Sequence, residues 1–127
     1  MARPLSEEKR KAILAAAAEL VSSLGTGAPT AKIAAAAGVA EGTLFTYFAT
    51  KDELLNELLV DIETELAQAL RVSCGATNSP RERVQRVWEC LVEWGKANPV
   101  QRKAMRQLKV SDRISAQTAQ RLSLIHI

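Results

Sequence analysis

Residues 32–48 read Lys32-Ile33-Ala34-Ala35-Ala36-Ala37-Gly38-Val39-Ala40-Glu41-Gly42-Thr43-Leu44-Phe45-Thr46-Tyr47-Phe48. Ala is the strongest helix former, so the run before Gly38 predicts a short helix over Thr30–Ala37. Gly38 stands where that helix must end in a left-handed conformation, which only Gly adopts cheaply. A second short helix, Glu41–Phe48, follows almost at once. Leu44 and Phe48 are four apart and share one face, the spacing of core anchors. Two short helices joined by a Gly-containing turn of three to four residues have the spacing of a helix-turn-helix.

The flanking sequence is helical too. Ser6 before Glu7 and Glu8 predicts a capped helix from Ser6 to Leu24, with Ile13, Ala17, Leu20 and Leu24 on one face and Leu14 and Val21 beside them. Gly25, Gly27 and Pro29 stop it. Downstream, Thr50-Lys51-Asp52-Glu53 predicts a capping box that opens a long helix to Val72. Leu55, Leu58, Leu59, Ile62, Leu66 and Ala69 form its apolar stripe. A loop is expected from Ser73 to Ser79. Ser79-Pro80-Arg81-Glu82 starts a fifth helix, whose apolar face is Val84, Val87, Trp88, Leu91 and Val92. Asn98-Pro99-Val100-Gln101 repeats the start signal for a helix to Val110, and a weaker one is expected over Ser111–Arg121. No stretch alternates with period two, so the fold class is all-α.

Composition narrows the function. With 127 residues, 47% of them hydrophobic and 24% charged, the chain fits one globular domain rather than a disordered tail. It has no apolar run of the roughly 20 residues a membrane span needs and no secretory leader after Arg3, so cytoplasmic residence without membrane contact is expected. Two cysteines, Cys74 and Cys90, and one histidine give no zinc framework, and neither metal nor cofactor is expected. Catalysis has little to stand on. No Ser–His or Cys–His pair is available, and Gly25–Thr30 (GTGAPT) lacks the Lys of a phosphate loop and follows a helix. Glu89 and Glu93 are four apart, the ordinary spacing of surface charge. Residues 1–60 hold six basic against seven acidic residues, and residues 61–127 hold eleven against seven. The basic excess, notably Arg102, Lys103, Arg106, Lys109 and Arg113, is a weak pointer to nucleic acid and suits a solvated helix face at least as well.

From Lys11 to Ala69 the sequence resembles the TetR family of bacterial transcriptional regulators. The residues that carry this are Ile33-Ala34, Ala37-Gly38-Val39, Gly42-Thr43-Leu44, Phe45, Tyr47-Phe48 and Lys51. The resemblance implies a helix-turn-helix DNA-binding domain over residues 1–50 and part of a helical ligand-binding and dimerisation domain over 51–121. It implies double-stranded operator DNA as partner, read by the helix bearing Glu41, Gly42, Thr43, Phe45, Thr46 and Tyr47. Threonine can bond base edges or touch a thymine methyl, and a tyrosine hydroxyl or a lysine suits a phosphate. Thr43, Tyr47 and Lys51 are its foremost contacts, and Lys32 stands where the family often has an acid. Ala40 replaces the usual hydroxyl cap, Phe45 replaces a frequent Tyr, and Ala28-Pro29-Thr30 is one residue shorter than the family's stretch.

The resemblance further implies a homodimer in the full-length protein and a small-molecule effector. Trp88, Leu91, Trp94 and Met105 are the candidates for lining its apolar cavity. Core packing is the simpler account of Trp88 and Leu91, given their helical spacing. The final six residues, Leu122–Ile127, match the translation of one reading frame, CTG TCT CTT ATA CAC ATC, of the mosaic end of transposase-made sequencing libraries. They are expected to be adapter read-through, which sets His126 aside as a ligand or catalytic group. The leading expectation is therefore a DNA-binding transcriptional regulator, a repressor released by a ligand. The alternative is a helical protein–protein interaction module whose contact face is the leucine-rich helix over residues 54–70.

Overall fold

The computed structural model describes residues 5–73 and 79–125. They form seven helices: α1 (Glu7–Leu24), α2 (Thr30–Ala37), α3 (Glu41–Tyr47), α4 (Lys51–Ser73), α5 (Pro80–Ala97), α6 (Pro99–Val110) and α7 (Ala116–Ile125). Local chemistry sets most of the boundaries. The Ser6 hydroxyl accepts the Lys9 N–H at 3.3 Å, and Ser79 does the same for Glu82 at 3.4 Å. Gly38 takes φ +75° and ψ +26°, and the Val39 N–H closes back onto the Ala34 carbonyl at 3.0 Å. An L side chain at that left-handed position would be strained, so glycine is required there.

One hydrophobic cluster runs through the molecule. Its spine is α4, which buries Leu54, Leu55, Leu58, Leu59 and Ile62. Onto them fold Ile13, Ala17 and Val21 of α1, Ile33 of α2, Leu44 of α3 and Phe48 just beyond it. Leu108 of α6 and Leu122 of α7 complete the cluster. The small residues Ala16, Ala17 and Ala18 of α1 and Ala104 of α6 are buried, and α1 packs most extensively on α2 and α6. Alanine faces allow helix backbones to approach closely, which explains the alanine richness without any low-complexity role.

Three local expectations differ from the structure. Leu24 closes the stripe of α1 but is exposed, because the chain turns away at Gly25. The start of α4 is as expected: Thr50 accepts the Glu53 N–H at 3.0 Å, and Glu53 reaches back to the Ala49 N–H at 2.8 Å. Asn98 does not cap α6; its amide turns back and donates to the Trp94 carbonyl at 3.0 Å, closing α5. The last helix begins at Ala116 rather than Ser111, because Ser111 closes α6 by donating to the Leu108 carbonyl at 2.7 Å. Ser115 then accepts the Thr118 N–H at 3.1 Å as the new cap, and α7 continues past Arg121. Cys74 and most of the expected 73–79 loop lie outside the described residues, as do His126 and Ile127.

The larger correction concerns α5. Its periodic apolar face is not core: Trp88 is 68% exposed, Val84, Leu91 and Val92 are exposed as well, and Gly95 is the buried residue of this helix. Gly95 has a specific use. Arg102 of α6 lies across it and donates Nε to its carbonyl at 3.2 Å, and a Cβ there would sit 3.1 Å from Arg102 Cδ.

Candidate nucleic-acid interface

Helix α3 is short and lacks a side-chain cap at Ala40, so packing must hold it. Leu44 and Phe48 supply that packing and are almost wholly buried. The rest of the helix consequently faces outward. Glu41, Gly42, Phe45 and Thr46 are exposed, and Thr43 and Tyr47 are half-buried. Thr46 spends its hydroxyl proton on the Gly42 carbonyl at 3.1 Å and keeps its oxygen lone pairs as acceptors. Tyr47 has a structural partner that the sequence did not disclose. Its phenolic oxygen accepts the Ser6 N–H at 2.8 Å, tying the start of α1 to the end of α3. Its own O–H remains a donor.

Lys51 opens α4 next to this surface and is half-buried. Partial burial pushes its ammonium below the ordinary lysine value, the nearby Arg113 pushes the same way, and Asp52 opposes them. Lys32 is exposed on α2. Behind the surface, charged groups brace α4. The Arg10 guanidinium sits 5.6 Å from the Phe48 ring centroid and reaches Glu57 at 3.4 Å. Glu57 also takes Arg121 of α7 at 2.6 Å, a bond that raises the guanidinium's affinity for its proton. The first turns of α4 are thus held by α1, by the residue after α3 and by α7.

Residues 13–58 match the model of the tetR family of bacterial regulatory proteins. Over this stretch the chain is similar to the TetR family. The nucleoid occlusion factor SlmA of Haemophilus ducreyi is 31% identical over 70 residues, which cover 55% of this chain and 35% of that protein. A TetR family transcription regulator from Marinobacter aquaeolei VT8 superposes with a TM-score of 0.85 at 26% identity, over 94% of this chain and 63% of that one. A tetR family candidate from Shewanella sp. PV-4 gives 0.83 at 30% identity, over 90% and 61%. The chain therefore spans about a third of the curated relative and about six-tenths of these solved chains. The matching model describes bacterial regulatory proteins.

Against the TetR frame, the residues expected to line an effector cavity scatter. Trp88 points to solvent. Leu91 edges a cavity of about 480 Å³ with Leu66, Ala67, Leu70 and Ile125. An ion pair flanks it, the buried Glu63 of α4 with the exposed Lys109 of α6 at 2.6 Å. Trp94 lines a separate groove with Ala69, Cys90 and Ala97, and Met105 packs partly buried against the core. The basic run of the second half is partly spent inside the molecule. Arg102 bonds the Gly95 carbonyl, Lys109 pairs with Glu63 and Arg113 pairs with Asp52. No helix among the described residues is long and apolar enough to cross a membrane, and no cluster of three or more metal-ligating side chains occurs among them.

Proposed function

We propose that this protein is a sequence-specific DNA-binding regulator, a repressor that acts as a homodimer and is released by a small molecule. The observation that carries the reading is α3 itself. Its apolar residues are anchored by Leu44 and Phe48, which leaves a polar, solvent-facing surface beside Lys51. Such a helix enters the major groove with its side chains toward the base edges. Thr43 and Thr46 address bases, and Glu41, Gly42 and Phe45 lie along the same approach. Lys32, Lys51 and the Tyr47 hydroxyl take backbone phosphates. In a dimer the two reading helices must match half-sites roughly 34–36 Å apart, so a modest pivot of α4 abolishes the fit. An effector seated among α4, α5 and α6, where Leu91 meets Leu66 and Leu70, would favour the pivoted state through its differential affinity.

The alternative, an interaction module using the leucines of α4, has no face to offer, because Leu54, Leu55, Leu58, Leu59, Ile62 and Leu66 are buried. The test is selection from a pool of random duplexes. Enrichment of an inverted repeat with half-sites one helical turn apart is expected, and Thr43→Val should shift the preferred base within each half. A pool that stays random after several rounds overturns the reading.

A further inference from the structure

The connector between α6 and α7 is locked onto the first turns of α4 by one buried side chain. Asn56 donates through Nδ2 to the Asp52 carbonyl at 2.6 Å and to the Arg113 carbonyl at 2.9 Å. Its Oδ1 accepts the Ser115 N–H at 2.9 Å. Both ends of the amide are used, and the residue is only 8% exposed. The backbone of Arg113 is therefore fixed relative to α4. From that position its Nη1 donates to Asp52 Oδ1 at 3.1 Å.

Asp52 adjoins Lys51 and keeps 63% of its side chain exposed. A phosphate arriving at Lys51 would also meet this carboxylate. Like charges a few ångströms apart repel even at a wet surface, which offsets part of what one lysine contributes. Arg113 offsets that charge through its 3.1 Å ion pair with Asp52. Arg113 is also near enough to Lys51 to disfavour its protonated form, behind the larger effect of partial burial. The cluster thus holds two cations against one carboxylate, an arrangement that a phosphate completes.

We propose that Arg113 is a positioning residue for DNA binding: held by Asn56 and paired with Asp52, it neutralises the carboxylate that would otherwise repel the phosphate at Lys51. The regulatory half thereby sets the affinity of the DNA surface electrostatically. A shift of the Ser111–Ser115 connector withdraws Arg113 and leaves Asp52 facing the DNA. The inference rests on Lys51 being a phosphate contact, the reading proposed above.

The experiment is fluorescence anisotropy with a short random-sequence duplex at low salt, using wild type, Arg113→Gln, Asp52→Asn and the double variant. Arg113→Gln should weaken binding about three- to tenfold. Asp52→Asn should bind at least as tightly as wild type, and the double variant should match Asp52→Asn within about twofold. Circular dichroism of each variant checks folding. Wild-type affinity in Arg113→Gln overturns the proposal. A double variant as weak as Arg113→Gln also overturns it, because Arg113 would then touch phosphate itself or hold the fold. Failure of the wild-type protein to bind any duplex is a different result, and it removes the DNA-binding reading as a whole.

Discussion

Asn56 is a polar residue among leucines, and it joins the two halves of the chain. In Asn56→Ala three hydrogen bonds disappear, those to the Asp52 and Arg113 carbonyls and that from the Ser115 N–H. A net worth of about 1 kcal/mol for each bond, with a penalty for backbone groups left unpaired, gives a loss of about 2–4 kcal/mol. For a chain of this size that lowers the thermal midpoint by about 10 °C. Asn56→Asp sharpens the test. It keeps an acceptor for Ser115 but sets a carboxylate against two carbonyl oxygens. Its folded-state pKa must rise, so its contribution is retained at low pH and lost as pH climbs through that raised value. Asn56→Asp should therefore be worse than Asn56→Ala at pH 7, with the difference shrinking toward pH 4. Urea unfolding followed by circular dichroism measures both. A loss below about 0.5 kcal/mol for Asn56→Ala, the range of an ordinary surface change, would refute the reasoning.

Trp88→Ser should change stability by no more than about 0.5 kcal/mol, whereas Leu59→Ala should cost about 2–5 kcal/mol in the same urea titration. A large loss at Trp88 would place that ring inside the protein. Asp61 is pushed above the usual carboxylate range by burial, against the pull of Arg10 and Lys11. Its raised value means that its contribution is present at low pH and lost as pH rises through the folded value. Asp61→Asn should therefore raise the melting temperature at pH 7 and leave it nearly unchanged at acid pH; a lower midpoint at pH 7 would contradict this. Residues 122–127 are proposed to be adapter sequence, so transposase-free sequencing of the source DNA across the Arg121 codon should recover other codons there. The same six codons would refute that assignment.

What could be read from the sequence was what is decided locally. Ser6, Thr50 and Ser79 start helices through their own hydroxyls, and Gly38 stops one through its own φ. Leu44 and Phe48 were legible as anchors because four-residue spacing fixes a shared face whatever lies opposite. The face of α5 shows the limit of that logic. Periodicity says that Val84, Trp88, Leu91 and Val92 align, but not whether anything covers them. The bond from Ser6 to Tyr47 spans 41 residues and joins a backbone donor to a phenol, a pairing no local pattern encodes. Asn56 was invisible for a related reason, since its partners Arg113 and Ser115 lie far along the chain. The basic residues 102–113 were ambiguous by charge alone. Their partners Gly95, Glu63 and Asp52 emerge only when α4, α5 and α6 are packed together.

Helix α3 and Lys51 are proposed to form a surface for duplex DNA. The most direct measurement is duplex affinity against salt for wild type and Lys51→Ala. Log affinity should fall linearly with log salt, and Lys51→Ala should weaken binding across all sequences and flatten the slope by about one unit. Absence of duplex binding at low salt, or an unchanged slope in Lys51→Ala, would mean that this surface does not engage duplex DNA through Lys51.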